Sequence, residues 1–232
     1  MATLLHGDCL EIMKTLPDKS VDCFICDLPY GLLTLGAKGI VEKKSKCYVR
    51  QEWDVKIDLD AFWKQIDRLS AAKNTPVLMF CSMRFFTDLF NSNPSGYQYS
   101  YIWKKQRGTN YMDANRKPLQ DFETIAVFSK ARPYFIRLPG PCATTTLEFK
   151  MVSKKTHPTE KPLDLYTWLL ERYCPAGGTV LDPTAGSFNA IKAAVALGLK
   201  GIGIEKDDGF FKKAESHFIV TDASDNTIHL ID

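Results

Sequence analysis

Two short stretches of this chain carry side chains that can do chemistry, and they lie far apart in sequence. The first is Asp27-Leu28-Pro29-Tyr30, which ends a largely apolar run over 20–27. A carboxylate, a backbone carbonyl fixed by the following proline and an aromatic ring suit a planar amine. The Asp27 carboxylate and the Leu28 carbonyl accept its hydrogens, and the Tyr30 ring stacks on the heterocycle that carries it. A nucleobase turned out of its stack is held in this way. The second stretch is Asp182-Pro183-Thr184-Ala185-Gly186-Ser187, a small-residue turn. It lies between an apolar strand at 179–181 and a helix over 189–197 that Gly198 stops. A second strand at 201–204 ends in Glu205. Strand, tight turn, helix, strand and terminal acid make one βαβ nucleoside unit. The acid follows the turn by about 20 residues, the spacing at which it grips ribose hydroxyls. Gly186 lets a ligand come close to the backbone. No Lys-Ser or Lys-Thr follows to hold a triphosphate, so the expected ligand is a nucleoside without a demanding phosphate.

Each stretch alone has an ordinary structural explanation, a strand-ending turn or a tight βα connection. Their combination is more specific. In an open α/β sheet, ligands sit beyond the carboxyl ends of the strands, so Asp27 and the Asp182 turn are expected at one rim.

The elements that must position these residues read as follows. A strand at 3–8, a helix at 9–16 and the strand at 20–27 precede a helix at 58–73. That helix carries Leu59, Phe62, Trp63, Ile66 and Leu69 at helical spacing. A buried strand at 77–81 and a helix around 84–90 lead into an antiparallel hairpin, 97–104 with 122–128. Residues 131–156 lack a core period and are expected to be a small target-recognition insert. Residues 157–162 open a helix, with Thr159 as its cap, Pro162 near its first turn and Leu165, Trp168, Leu169 and Tyr173 as its apolar face. A helix at 207–216 follows, and the tail at 228–231 is expected at the sheet edge. The sum is an α/β fold: one domain over 1–232 with a doubly wound, mostly parallel sheet and one antiparallel hairpin. Cys23 and Cys26 imitate a metal-ligand spacing, but on a strand they face opposite sides, so no metal is expected.

The 232 residues carry a net charge of +3, too little by itself to indicate a nucleic-acid partner. The distribution says more. Lys43, Lys44 and Lys46 cluster in an aperiodic stretch, 32–56, expected to be a mobile loop that contacts DNA. Lys104, Lys105 and Arg107 cluster in the hairpin, and Lys154 adjoins Lys155. The seven scattered cysteines suit a reducing cytoplasm better than a disulfide framework. No signal peptide and no bilayer-spanning apolar run is visible.

Taken in order, Asp27-Leu-Pro-Tyr30, then His157-Pro-Thr-Glu-Lys-Pro162, then the Gly186 turn resemble the permuted (beta) group of amino-methylating DNA methyltransferases. Gly7-Asp8-Cys9-Leu10, Leu16–Asp22, Glu52-Trp53-Asp54 and Phe122–Lys130 are similar to that group as well. The resemblance runs from about residue 5 to about residue 206. It implies a Rossmann-like methyltransferase fold with circularly permuted motif order, and S-adenosylmethionine as cofactor. It places Asp8 near the adenine of the cofactor, Glu205 at its ribose, and His157, Thr159 and Lys161 near its methionine end. Asp182, Thr184, Gly186 and Ser187 line the cofactor turn. It further implies methylation of the N6 amine of a flipped adenine in double-stranded DNA. No nuclease motif is visible, so a solitary modification enzyme is expected. The shortness of 131–156 for a reader of bases points to a short recognition sequence or to help from a second subunit, as in a homodimer. The rival readings are cytosine N4 methylation and a DNA-binding pseudoenzyme. Protein glutamine methylation uses a similar amine-holding motif, but there the cofactor loop comes first. The chain departs from the family in two places. Leu28 replaces the first of two prolines, at a position that contributes only a carbonyl. Thr184-Ala-Gly-Ser-Phe188 replaces a Phe-X-Gly-X-Gly loop.

Overall fold

The computed structural model describes residues 1–31, 55–109, 111, 114–153, 155–216, 218–222 and 227–230. The basic loop expected at 32–56, with Lys43, Lys44 and Lys46, lies almost wholly outside them.

The centre of the molecule is built from strands that are apolar on both faces, as parallel strands between helical layers must be. These are β2 (Cys23–Cys26), β3 (Val77–Cys81) and β7 (Thr179–Asp182). They belong to a ten-stranded sheet of order β6-β4-β5-β3-β2-β7-β8-β1-β10-β9. Here β1 is Ala2–His6, β4 Tyr97–Thr109, β5 Gln120–Phe128, β6 Thr146–Glu148, β8 Lys200–Glu205, β9 Phe218–Asp222 and β10 Thr227–Leu230. β2 pairs in parallel with β3 on one side and with β7 on the other, with Cys23 opposite Val180 and Phe24 opposite Leu181. The crossover from β2 runs outward to β3, and that from β7 runs the other way to β8. The winding therefore reverses between β2 and β7, and a crevice opens beyond their carboxyl ends.

Helices cover both faces. α1 (Cys9–Thr15), α2 (Leu59–Leu69) and α3 (Met83–Ser92) bury Met13, Phe62, Ile66, Leu69, Phe85 and Leu89 on one side. α4 (Leu163–Tyr173) and α5 (Asn189–Ala196) bury Leu165, Leu169, Leu170, Tyr173, Ala190 and Ala193 on the other. α6 (Asp208–Glu215) closes a smaller cluster with Phe188, Ile191 and Phe218. Cys23 and Cys26 go to opposite faces, as the strand period requires. No helix among the described residues is long and apolar enough to cross a membrane.

Three local expectations are corrected. Thr159 does not cap α4, whose N-cap is Pro162 without a side-chain bond; instead Thr159 turns to His157. The tail strand β10 is not at the edge, because it pairs with β1 and with β9, which lies outside it. The segment 131–156 is not wholly irregular: β6 runs parallel to β4 and Leu147 enters the core.

Phe188, which stands where the nucleoside turn would ordinarily carry glycine, adopts the left-handed conformation at φ 58° and begins α5. That conformation costs a residue with a Cβ roughly 1–2 kcal/mol. Burial offsets it, since sinking a Phe side chain contributes about 1.5–3 kcal/mol and the ring is fully buried. The ring lies against Gly203 of β8, where a Cβ would come within 2.7 Å of it.

Candidate active site

A cavity of about 290 Å³ occupies the crevice at the reversal point. Of the residues read from the sequence, Asp8, Asp27, Pro29, His157, Thr159, Lys161, Thr184, Gly186, Ser187 and Glu205 line it. The two separate stretches thus meet at one rim. The joint between them is a hydrogen bond from the Thr184 hydroxyl to the backbone carbonyl of Asp27, 3.1 Å long.

On one side the cavity is lined by the residues that the sequence reading assigns to a nucleoside. Glu205 ends β8 nearly buried, and two backbone N–H groups fix its carboxylate. Gly186 donates to Oε2 at 2.8 Å and Asp207 to Oε1 at 2.7 Å. Each oxygen keeps a further lone pair for a ligand hydroxyl. Burial nonetheless pushes the Glu205 carboxyl above its ordinary pKa. Gly186 has φ +50°, and a Cβ there would press within 3.4 Å of the His157 ring. Asp8 caps α1 by accepting from the Leu10 N–H at 3.0 Å, and its other oxygen meets Lys206 at 3.1 Å. His157 sits edge-on to Phe210 with ring centres 4.2 Å apart. Its Nδ1 accepts from the Thr159 N–H at 3.4 Å and faces the Thr159 hydroxyl at 3.1 Å. Burial, reinforced by the Lys161 charge, lowers its pKa to about 4, so the ring is neutral near pH 7. The turn that carries it is tied by Glu160, which accepts from the Thr156 N–H at 2.5 Å and from the Asn189 amide at 3.0 Å.

On the other side Asp27 is held at three points. Its Oδ1 accepts from the Tyr30 hydroxyl at 2.7 Å, its Oδ2 from the Lys161 ammonium at 2.5 Å, and its carbonyl from Thr184. Lys161, expected at the methionine end, is therefore directed at the Asp27 carboxylate. Its ammonium also lies 3.5 Å from Glu123 Oε2 and 5.4 Å from the Phe80 ring centre. Burial pushes the Asp27 carboxyl above its ordinary range, and Lys161 holds it back. Burial also works against the Lys161 ammonium, but Asp27 and Glu123 outweigh it and raise its pKa.

Three of the expected site residues do not line the cavity. Asp182 lies beneath the turn, 3% exposed, and accepts from the Thr184 N–H at 3.1 Å; burial pushes its carboxyl far upward. It shapes the turn from below. Leu28 is 2% exposed with its side chain in the core, which leaves its backbone as the part able to face a ligand. Tyr30 packs on Phe85 with ring centres 4.9 Å apart and spends its hydroxyl on Asp27.

The expected surface cation Lys105 is also corrected. It turns inward, 8% exposed, and pairs with Glu123 Oε1 at 2.6 Å. Lys104 is exposed and paired with Glu148 at 3.0 Å, and Arg107 is exposed. The sequence reading gave Glu123 no role. A signal existed: by the strand period it shares the face of Ile125 and Val127, which are buried in the core, so an acid there needs partners.

Residues 137–216 match a family described as DNA methylase. DNA adenine methyltransferase YhdJ of Escherichia coli (strain K12) is 26% identical over 240 residues, spanning 90% of this chain and 80% of that protein. Among solved structures, the M1.HpyAVI–SAM complex superposes with a TM-score of 0.67 at 26% identity, over 93% of this chain and 99% of the other. The cytosine-N4-specific PvuII DNA methyltransferase superposes with a TM-score of 0.73 over 95% of this chain and 87% of the other; at 15% identity it is similar in fold alone.

Proposed function

We propose that this chain, which belongs to the DNA methylases, transfers a methyl group from S-adenosylmethionine to the N6 amine of adenine in double-stranded DNA. The observation that carries this reading is the hydrogen bond from Thr184 to Asp27. It locks a nucleoside-sized cavity to an amine-holding motif.

The cavity fits the cofactor by its own chemistry. Glu205, fixed by two backbone donors, is an acceptor for two vicinal ribose hydroxyls. The bare Gly186 admits the nucleoside to the turn, and Asp8 stands at the end suited to a base amine. The neutral His157 adds no repulsive charge beside a cationic ligand. S-adenosylmethionine supplies a methyl group on a sulfonium: the carbon–sulfur bond breaks as the carbon–nitrogen bond forms, sulfur keeps the electron pair and the amine loses a proton to solvent.

An exocyclic amine is a poor nucleophile because its lone pair is delocalised into the ring. Asp27 and the Leu28 carbonyl accept its two hydrogens and so localise the pair on nitrogen. Pro29 fixes the path of that backbone. Tyr30 steadies Asp27 through its hydroxyl and offers its ring to the extruded base. The chain contributes placement more than acid–base chemistry. An aspartate at the head of the motif favours adenine over cytosine, as it does in the resembling group.

Incubating the protein with DNA and labelled cofactor, then separating the nucleosides, tests the reading. Label in N6-methyladenine is expected. Label in N4-methylcytosine alone moves the assignment to that base, and no label in any base overturns the enzyme.

A further inference from the structure

Both oxygens of Asp27 are already occupied. Tyr30 holds Oδ1, and the Lys161 ammonium holds Oδ2 at 2.5 Å. A target amine that donates to Asp27 must displace one of them. Displacing a nearly buried ammonium is costly unless another acceptor waits for it. One does: Glu123 Oε2 lies 3.5 Å from the same ammonium and, among the described residues, makes no hydrogen bond, although it is buried. The other oxygen of Glu123 is anchored by Lys105 at 2.6 Å.

We propose that Lys161 and Glu123 are a positioning pair for Asp27. In the free protein Lys161 holds Asp27 aimed and ionised, and when the target amine takes Oδ2 the ammonium passes to Glu123. This inference rests on the amine-methylating reading of the site and gives Glu123 and Lys105 a part in it.

The geometry accounts for features that a simple structural salt bridge leaves unexplained. Lys161 has two carboxylates within reach but a short bond to only one, and the second keeps an oxygen open. Two carboxylates and two ammonium groups balance in charge, so the ammonium can move from one acceptor to the other without leaving an unpaired charge. Lys105 keeps Glu123 from rotating away. Asp27 then serves as an acceptor that orients the amine and does not itself take a proton.

The groups that face Asp27 are Lys161 and Tyr166 from α4 and the turn before it, Glu123 from β5, Cys81 from β3, Asp182 from β7, and its own neighbours Tyr30 and Cys26. Among them Lys161 favours the ionised form of Asp27, and Glu123 disfavours it. Transfer requires ionised Asp27, so the rate rises with pH through its pKa.

Removing the positive charge with Lys161→Met is expected to move the acid limb of the rate profile upward by about 1–3 pH units, the usual effect of an adjacent opposite charge. Glu123→Gln, which keeps the shape and leaves Lys105 and Lys161 in place, is expected to move the limb downward. Its cofactor affinity is expected to stay unchanged. The same displacements are expected in the carboxyl carbon-13 titration of Asp27 in cofactor-free protein, with the resonance assigned by its loss in Asp27→Asn. A merely structural pair acts on Asp27 by charge in the same way, so the passing of the ammonium is read in the turnover of Glu123→Gln above the Asp27 pKa. A fall of about tenfold with cofactor affinity kept is expected. Turnover equal to that of the unaltered protein overturns the inference. An Asp27 titration unmoved in both variants, or moved in the same direction, overturns the inference. Should Lys161→Met fail to fold, Glu123→Gln alone decides. Absence of methyl transfer to any DNA would defeat the proposed function, while the carbon-13 titration would still show whether the pair is coupled to Asp27.

Discussion

The Thr184 hydroxyl donates to the backbone carbonyl of Asp27 at 3.1 Å, across 157 positions of sequence. β2 and β7 are neighbours in the sheet, and this bond ties their carboxyl ends together just where the winding reverses. It fixes the distance between the turn that lines the cavity and the Asp27 carboxylate.

Thr184→Val keeps the branched shape and deletes the hydroxyl. A hydrogen bond of this kind contributes about 1 kcal/mol, which in a chain of this size lowers Tm by roughly 2–4 °C. The larger effect is expected in turnover, by about tenfold, with a smaller change in cofactor affinity, because misplacement slows transfer more than it weakens binding. Turnover equal to that of the unaltered protein, at a lowered Tm, would make the bond purely structural.

Asp27→Ala is expected to lower methyl transfer by about 100- to 10,000-fold, the range for a positioned polar catalytic group. The sequence alone suggests that the fold is spared. Lys161 changes that expectation, because the substitution leaves a nearly buried ammonium with Glu123 as its remaining carboxylate, 3.5 Å away. Stability is therefore expected to fall as well, and turnover must be compared at a temperature where circular dichroism shows both proteins folded. Near-normal turnover would remove Asp27 from the mechanism.

Much of this arrangement was legible in the residues, and the reasons are local. The runs at 77–81 and 179–182 are too short and too apolar for anything but covered strands, and Pro183 and Gly186 force the turn between β7 and α5. Asp27 and Glu205 could be placed because each ends a strand. What the sequence did not show depends on partners that only the folded chain brings together. Lys161 and Asp27 are 134 positions apart, and no pattern around either announces the other. Lys105 looked like a surface cation because Lys104 and Arg107 flank it, yet strand alternation sends it inward to Glu123 while its neighbour Lys104 stays exposed. The position of β10 between β1 and β9 is likewise set by pairing and not by its own residues.

Glu205→Ala removes the acceptor assigned to the ribose. The loss of hydrogen bonds to a charged group, about 1.5–3 kcal/mol, corresponds to a cofactor dissociation constant raised by roughly 10- to 150-fold. The Gly186 and Asp207 N–H groups also lose their partner, so a modest loss of stability accompanies it. Isothermal titration with S-adenosylmethionine gives the number directly. Unchanged affinity in a folded variant would break the ribose assignment.

The hairpin of β4 and β5 exposes both Lys104 and Arg107, and it runs from the strand next to β3, close to the rim where Asp27 lies. Phosphate binding by such residues gives affinity without sequence information. Lys104 is already paired with Glu148, but both partners are more than half exposed, and an exposed pair of this kind is worth little. A phosphate can therefore take Lys104 from Glu148 at small cost. Replacing Lys104 and Arg107 together by alanine is expected to weaken DNA binding about equally for all sequences. It should flatten the slope of log affinity against log salt by roughly 0.9 for each phosphate no longer neutralised, and leave cofactor affinity alone. The companion substitution of Lys43, Lys44 and Lys46 tests the other basic cluster by the same measurement. Lys105 serves as the contrast, because its ammonium is committed to Glu123: Lys105→Met is expected to lower stability and turnover while keeping the salt slope. A slope unchanged by the Lys104 and Arg107 pair, with affinity also retained, would make this part of the hairpin a solvated surface with no part in holding DNA.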